Sequence, residues 1–255
     1  MNYGLYLSAT GVLTNLYRQD VIANNLANVE TVGFKRNIAS FEQRLTEAQQ
    51  RRDTQLTDPM LEEIGGGLFC APTGTDMSQG ELERTGNQLD IAIVGSGFFG
   101  VQDQGKIKLT RDGRFMLDNE GNLVMSNASA SRVLDPDGNP VNLAGWVSTA
   151  VEIGKDGTIT AHGRPIGRVG LYGVADPSKL VKDGGNLLSA PNLQKDMTAV
   201  EPNLRNGFVE RSNVDPATEL VTLMESQRQL EANANMIRFQ DQTMGRCVND
   251  VGKIG

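Results

Sequence analysis

The sequence predicts an α+β protein whose long N- and C-terminal helices pair in the manner of a coiled coil, with an all-β domain inserted between them. Three observations predict it. Residues near each end recur at alternating three- and four-residue steps, the middle consists of short apolar runs broken by glycine, and Asp-Gly or Glu-Gly dipeptides separate those runs. A chain that is helical at both ends and β-rich between must leave the helical part, build a second domain and return.

The C-terminal helix is predicted over Asp215 to Asp250. Leu220, Leu223, Gln227, Leu230, Ala234, Ile237, Asp241, Met244 and Val248 form its seam. Val221 and Met224 widen that seam, while Glu225, Arg228, Glu231, Asn235 and Arg238 occupy the remaining surface. Asp215 suits the N-cap, Pro216 the first helical position, and Glu219 the positive end of the helix dipole. Such a helix spans roughly 50 Å and needs a partner of similar length. Residues 3–27 supply one, because Leu5, Ala9, Val12, Leu16, Gln19, Ala23 and Leu26 repeat the spacing. Gly4 and Gly11 weaken this helix and neither helix is rich in bulky apolar residues, so neither is expected to be stable alone. Periodicity leaves two arrangements open. The helices either staple the base of an ordinary domain, or complete their burial only against other copies or other chains.

With 255 residues the chain can form one large domain or two smaller ones. A net charge of −7 with scattered Lys and Arg argues against nucleic-acid binding, which relies on a concentrated basic patch. No run has the apolar length of a transmembrane helix, and the N-terminus lacks a basic segment followed by an apolar core, so no cleaved secretory signal is expected. Cys70 and Cys247 sit in unlike contexts and read as ordinary thiols, without a disulfide framework or a zinc site.

Along the chain, Asn24 to Asn28 favour a turn at the end of the first helix, and Gly33 can take a positive φ that gives Phe34 a direction in which to bury. Residues 36–58 show a weak helical pattern around Phe41, Leu45 and Leu56, broken by Pro59 and Gly65 to Gly67, which reads as a linker. Strands are predicted at Asp90–Val94, Phe98–Val101, Ile107–Thr110, Arg114–Leu117 and Leu123–Met125. Asp112-Gly113, Glu120-Gly121, Asp137-Gly138 and Asp156-Gly157 are predicted to turn between strands. The domains expected are therefore 1–35 with 207–255 as a helical assembly domain, 36–67 as linker or extension, and 68–206 as the β-rich part.

Apparent chemical motifs do not support an enzyme. Gly95-Ser-Gly-Phe-Phe-Gly100 matches G-x-G-x-x-G after a strand, but the following residues predict another strand where a nucleotide site needs a helix N-terminus. A glycine-bent hairpin is expected instead. Asp135-Pro-Asp-Gly-Asn139 lacks the third spaced ligand and the distant glutamate of a calcium loop, and reads as a turn. His162, the only histidine, falls in a Gly- and Pro-bearing loop without a nucleophile motif nearby, and Trp146 reads as core. No catalytic residue, cofactor or metal is expected.

Ala23-Asn-Asn-Leu-Ala-Asn28 followed by Thr31-x-Gly33-Phe34-Lys35 resembles the signature of the bacterial flagellar rod and hook family of axial proteins. Gly207-Phe-Val-Glu-Arg-Ser-Asn-Val214 and Gln227-Arg-x-x-Glu231-Ala-Asn233 are similar to that family's C-terminal signature. Leu89-Asp90-Ile-Ala-Ile, Gly97-Phe-Phe, Thr110-Arg-Asp-Gly113 and Ile153-Gly-x-Asp-Gly-Thr158 continue the resemblance through the middle. Phe208-Val209 before Glu210 departs from the smaller residue and leucine the family often has there.

The resemblance implies a structural subunit of the flagellar basal-body rod, not an enzyme. Its terminal helices would assemble helically with own copies and other rod proteins around the export channel, in a periplasmic rod that carries torque. The flagellar type III apparatus would export it without a cleaved signal, and hook and ring proteins are further neighbours. On the same grounds the assembly residues would be Asn24, Asn25, Leu26, Ala27, Asn28, Thr31, Gly33, Phe34 and Lys35 at the N-terminal end. At the C-terminal end they would be Glu210, Ser212, Asn213, Val214, Leu220, Leu223, Gln227, Leu230, Ala234, Ile237 and Met244. Met77-Ser-Gln-Gly80, Gly167-Arg-Val-Gly-Leu171 and Asp241-x-x-x-Gly245-Arg246 look closer to the proximal-rod subtype, whereas Gly97-Phe-Phe and Thr110-Arg-Asp-Gly113 are as typical of the distal rod. A hook-type axial subunit, and a soluble ligand-binding β domain or enzyme using the Gly95–Gly100 loop, are the alternatives.

Overall fold

A computed structural model describes residues 2–43, 68–127, 130–146, 151–190 and 196–251. The chain divides into two compact units. The first comprises Met1–Ala27, Asn37–Asp76 and Asp215–Gly255, and the second Asn28–Arg36 and Met77–Val214. Residues 28–35 and 207–214, grouped with the terminal helices on sequence grounds, thus pack with the β-rich unit.

The first unit contains α1 (Asn2–Ala27), α2 (Pro216–Val251) and an antiparallel hairpin of β1 (Asn37–Gln43) and β2 (Leu68–Thr75). Both helices fall where their periodicity places them. The weak helical pattern over 36–58 is corrected at its start, because Asn37–Gln43 is a strand with alternating exposure that pairs with β2. The rest of that pattern and the expected Pro59–Gly67 linker lie outside the described residues. The hairpin covers one face of α1. Tyr17 meets Phe41 edge-on at 6.1 Å, the Arg18 guanidinium lies 5.3 Å above the Phe41 ring, and the Tyr17 hydroxyl is 2.8 Å from the Thr73 hydroxyl.

The described strands of the second unit all pair antiparallel, and a short 3-10 turn lies at Pro177–Lys179. β3 (Leu82–Arg84) pairs with β18 (Phe208–Glu210), and β4 (Ile91–Ile93) with β17 (Leu204–Asn206). β10 (Val151–Ile153), β11 (Thr158–Ala161) and β12 (Arg164–Arg168) form a meander. A nine-stranded sheet contains β5 (Phe98–Asp103), β6 (Lys106–Thr110), β7 (Phe115–Leu117), β8 (Leu123–Met125) and β9 (Arg132–Val133). It also holds β13 (Leu171–Val174), β14 (Val181–Lys182), β15 (Leu187–Ser189) and β16 (Met197–Ala199). Its main path runs β14-β15-β6-β5-β9-β8-β7, and β13 joins it through β5.

Strand alternation places successive side chains of β5 in two cores. Phe99 and Val101 pack with Ile91, Leu123, Met125 and Ile159, and Phe99 meets Phe115 edge-on at 5.1 Å. Phe98 packs on the other side with Leu109, Leu134 and Tyr172. This alternation explains the glycines of the G-x-G-x-x-G match. Gly97, at φ +129°, takes a backbone that side chains rarely adopt and would set a Cβ tightly at 3.0 Å from Leu171, and a Cβ on Gly100 would enter the Tyr172 ring. The expected hairpin at Gly95–Gly100 is corrected, since β4 pairs with β17 while β5 pairs with β6, β9 and β13, so the glycines pass the chain from one sheet to another.

Glu120-Gly121 turns between β7 and β8, and Asp156-Gly157 between β10 and β11. Asp112-Gly113 does not turn a hairpin. It is buried between strands that do not pair, with Asp112 held bidentately by Arg114 at 3.0 and 2.7 Å. Asp135 accepts backbone bonds from Asp137 and Asn139 at 3.0 and 2.7 Å, which makes 135–139 a self-contained turn. His162 is exposed on the turn between β11 and β12, 5.8 Å from the half-buried Trp146 ring.

Candidate assembly site

Helix α2 starts on its cap. Asp215 accepts from the Ala217 amide at 3.2 Å and from the Thr218 hydroxyl, and these bonds hold its carboxyl below the usual carboxylate range, Thr218 contributing most. From there α2 runs antiparallel to α1. Glu219 meets the Asn25 amide at 3.4 Å, Ser226 donates to the Asn15 carbonyl at 3.3 Å, and Arg18 donates to Gln229 at 3.5 Å. Further along, Asn233 and Gln240 lie over Gly11 and Gly4, where a Cβ would come within 2.8 and 2.6 Å of their side-chain amides.

These contacts define the phase of the seam. Gly4, Gly11 and Asn25 face Gln240, Asn233 and Glu219, with heptad spacing on both helices. The period therefore agrees with the sequence reading, but the phase does not. In α1 the facing residues lie one position before Leu5, Val12 and Leu26. In α2, Leu223, Leu230, Ile237 and Met244 stay half-buried as expected, whereas Leu220, Gln227, Asp241 and Val248 are exposed and Glu219, Ser226, Asn233 and Gln240 take their place. Glycine permits close approach and polar side chains bond across the gap, so small and polar residues share the seam with these half-buried apolar ones.

That phase leaves apolar residues outward. At about 100° per residue, Val221, Met224 and Phe239 lie on the side of α2 away from α1, and they are 51%, 51% and 64% exposed, while Met236, beside the seam, is 52% exposed. On α1, Leu13 and Leu16 point away from α2 and are 62% and 43% exposed.

The other sequence-predicted site residues divide between the units. In the first, Asn25 is buried, accepting from the Asn37 amide at 2.8 Å and donating to the Asn37 carbonyl at 2.9 Å, which pins the end of α1 to β1. Asn24 accepts from Asn37 at 3.1 Å, Leu26 is half-buried and Ala27 exposed.

In the second unit, Asn28 accepts from Thr31 at 3.2 Å. Gly33, at φ +70°, has the Asp112 amide 2.5 Å from where a Cβ would stand, and Phe34 lies under the Lys182 ammonium at 3.9 Å. Lys35 and Glu210 form a buried ion pair at 2.5 Å, and Arg111 reaches the second Glu210 oxygen at 3.1 Å. Glu210 also accepts from the Gly80 amide at 2.9 Å, and its carbonyl accepts from Gly33 at 2.7 Å. Asn213 accepts from the Arg36 amide at 2.7 Å, while Ser212 and Val214 are buried. Lys182 donates to the Lys35 carbonyl, and burial pushes its ammonium down to about 8.

Sequence reasoning missed Arg111, Gly80, Lys182, Ser226, Asn233 and Gln240 as members of these arrangements. A signal existed for Arg111, Gly80 and Asn233, since Thr110-Arg-Asp-Gly113, Met77-Ser-Gln-Gly80 and Gln227-Arg-x-x-Glu231-Ala-Asn233 are among the motifs of the resemblance. The others are ordinary polar residues whose partners lie far away in the chain.

The chain thus combines a helical unit, whose paired helices keep apolar residues outward, with a separately packed β unit. Three family descriptions match the chain: "Flagella basal body rod protein" over residues 5–35, "Flagellar hook protein FlgE/F/G D1 domain" over 92–161, and "Flagellar basal body rod FlgEFG protein C-terminal" over 205–251. The chain is 32% identical over 256 residues to the flagellar basal-body rod protein FlgF of Caulobacter vibrioides, covering 100% of both chains. It is 35% identical to FlgG of Buchnera aphidicola subsp. Schizaphis graminum, covering 94% of this chain and 96% of that one, and 30% identical to FlgG of Bacillus subtilis, covering 96% and 97%. The chain belongs to the flagellar basal-body rod protein family, and it is a structural subunit of the basal body. Among the described residues no helix is long and apolar enough to cross a membrane.

Proposed function

We propose that the chain assembles through α1 and α2, as a coiled coil-like layer, into the helical, periplasm-spanning shaft of the rod. The observation that carries this reading is the outward apolar set, Leu13 and Leu16 on α1 with Val221, Met224 and Phe239 on α2. Such a set on an already paired helix is burial left for a neighbour. Different faces meeting in successive copies give a heterologous contact, which extends as a helix when it does not close. Own copies and other rod proteins are the partners in this reading, with hook and ring proteins beyond them and the type III apparatus exporting the chain without a cleaved signal. Its role is mechanical rather than enzymatic.

Met77-Ser-Gln-Gly80, Gly167-Arg-Val-Gly-Leu171 and Asp241-x-x-x-Gly245-Arg246 favour the proximal rod over the distal rod within this reading. The helix residues Leu220, Leu223, Leu230, Ala234, Ile237 and Met244 belong to its assembly surface or its supporting seam. The Asn24–Asn28 turn and the Thr31–Lys35 segment shape the subunit that presents them. The experiment is complementation of a strain lacking the chain with Val221→Lys and Phe239→Lys variants. Loss of rods and motility, with unchanged circular dichroism of the purified monomer, supports the reading. Normal rods containing both variants would overturn it.

A further inference from the structure

The chain passes between its units at 27/28, 36/37, 76/77 and 214/215. In the second unit, the segments that run to those passages are 28–36, 77–80 and 208–214. All three converge on one buried carboxylate.

Glu210 is 1% exposed, and each of its polar groups is used across segments. One carboxylate oxygen takes Lys35 from the first segment at 2.5 Å and the Gly80 amide from the second at 2.9 Å. The other oxygen takes Arg111 at 3.1 Å, and Arg111 also donates to the Gly95 carbonyl at 2.9 Å and lies 5.1 Å above the Phe98 ring, tying the cluster to the sheet. Lys35 donates onward to the Ser78 carbonyl at 2.6 Å. Asn213 closes the ring. It accepts from the Arg36 amide at 2.7 Å and donates to the Ser78 carbonyl and hydroxyl at 3.2 and 3.0 Å.

The backbone is shaped to fit this cluster. A Cβ on Gly80 would enter the Arg211 carbonyl, and Gly33 sits against the Asp112 backbone at a positive φ. On the outer side of 32–36, Asn186 donates to the Val32 carbonyl at 2.7 Å and Lys182 to the Lys35 carbonyl.

We propose that the Glu210 cluster is a mechanical clasp that makes the three segments open and close as one unit. Load that reaches the β unit along any of them is then shared by all three, instead of peeling a single strand. Pairwise contacts would let each segment fray by itself, whereas one carboxylate holding donors from two other segments couples their openings. A buried carboxylate that lost one donor would keep its desolvation cost with less compensation, which sharpens the coupling.

The test is amide hydrogen exchange on the full-length chain, with Glu210→Gln and Asn213→Ala variants. The expected result for Glu210→Gln is an exchange increase of about tenfold or more in 28–36, 77–80 and 208–214, converging on a common protection factor, with the β5–β6 amides unchanged. Asn213→Ala leaves no charge unpaired and keeps the readout available if Glu210→Gln fails to fold. It is expected to raise exchange across 28–36 and 77–80 beyond Arg36 and Ser78, the residues that Asn213 itself touches. An increase confined to the substituted segment and its strand partner β3 would overturn the clasp.

Discussion

The two units bury their residues by opposite rules. In the β unit, Phe99, Ile91, Val101, Leu123 and Met125 have lost essentially all contact with water, and even the charges Lys35, Arg111 and Glu210 are enclosed with partners. In the helical unit, Gly4, Gly11, Asn15, Ser226, Asn233 and Gln240 share the seam with the half-buried Leu223, Leu230, Ile237 and Met244, while Leu13, Val221 and Phe239 face outward. A core that is complete within one chain folds by itself, whereas a helix pair that admits polar residues to its seam and leaves apolar residues outward has burial left for a neighbour to complete in the proposed assembly. The difference teaches where folding ends and assembly begins along this chain.

The largest effect that sharpens the comparison is the choice of boundary. A fragment spanning 28–214 keeps every partner of Glu210 and is expected to unfold cooperatively in urea. One spanning 37–206 deletes both Lys35 and Glu210, leaves Arg111 enclosed without its carboxylate and is expected to show no cooperative transition. Equal transitions for the two fragments would mean the buried charges do not belong to the β unit's own stability.

Next in size, Glu210→Gln in the full chain is expected to cost about 3–5 kcal/mol, since it breaks a buried pair while leaving two cations enclosed. Denaturant midpoints measure this. A loss below 1 kcal/mol would show that water reaches the cluster. A matched pair of core truncations then contrasts the units directly. Phe99→Ala is expected to cost about 3–5 kcal/mol, and the half-buried Leu230→Ala less than about 2 kcal/mol in the monomer. Equal costs would break the comparison, because the helix pair would then be as fully packed as the sheets.

The smallest effect is a pH dependence. Lys182 in the folded chain titrates at about 8, below its ordinary 10.5, because burial disfavours the ammonium. Between those values the unfolded chain binds the proton more tightly, so this residue makes stability rise with pH across that window. Lys182→Met is expected to remove that part of the rise, measured as the difference in urea midpoint between pH 7.5 and 10 for the two proteins. An identical rise in both would show that Lys182 is solvated.

Much of this architecture was legible because it is local. Helix α2 announced itself through Asp215, Pro216 and its heptad spacing, and β4 to β8 through apolar runs bounded by turn residues. The phase of the helix pair was not legible, because hydrophobicity favours Leu5, Val12 and Leu220 for the seam. What decides the phase is the absence of a Cβ at Gly4 and Gly11 opposite amides of the other helix. The buried cluster was legible only as motifs. Lys35 and Arg111 lie 175 and 99 residues from Glu210 in sequence, a separation at which no spacing rule applies. Strand β1 was misread because Phe41 lies among charged and glutamine residues that suit a helix equally well, and only pairing with β2 and the packing of Tyr17 on Phe41 decide it.

The most direct test of the central claim is thiol accessibility at the outward helix faces. Leu13→Cys and Phe239→Cys would be placed singly in a chain with Cys70→Ser and Cys247→Ser, and labelled with a maleimide both as purified monomer and within isolated basal bodies. The account predicts rapid labelling in the monomer and at least about tenfold slower labelling in the assembled rod, as expected for residues that a neighbour covers. Equal, rapid labelling in both states would contradict it, and would mean that these apolar residues face solvent in the rod as they do in the single chain.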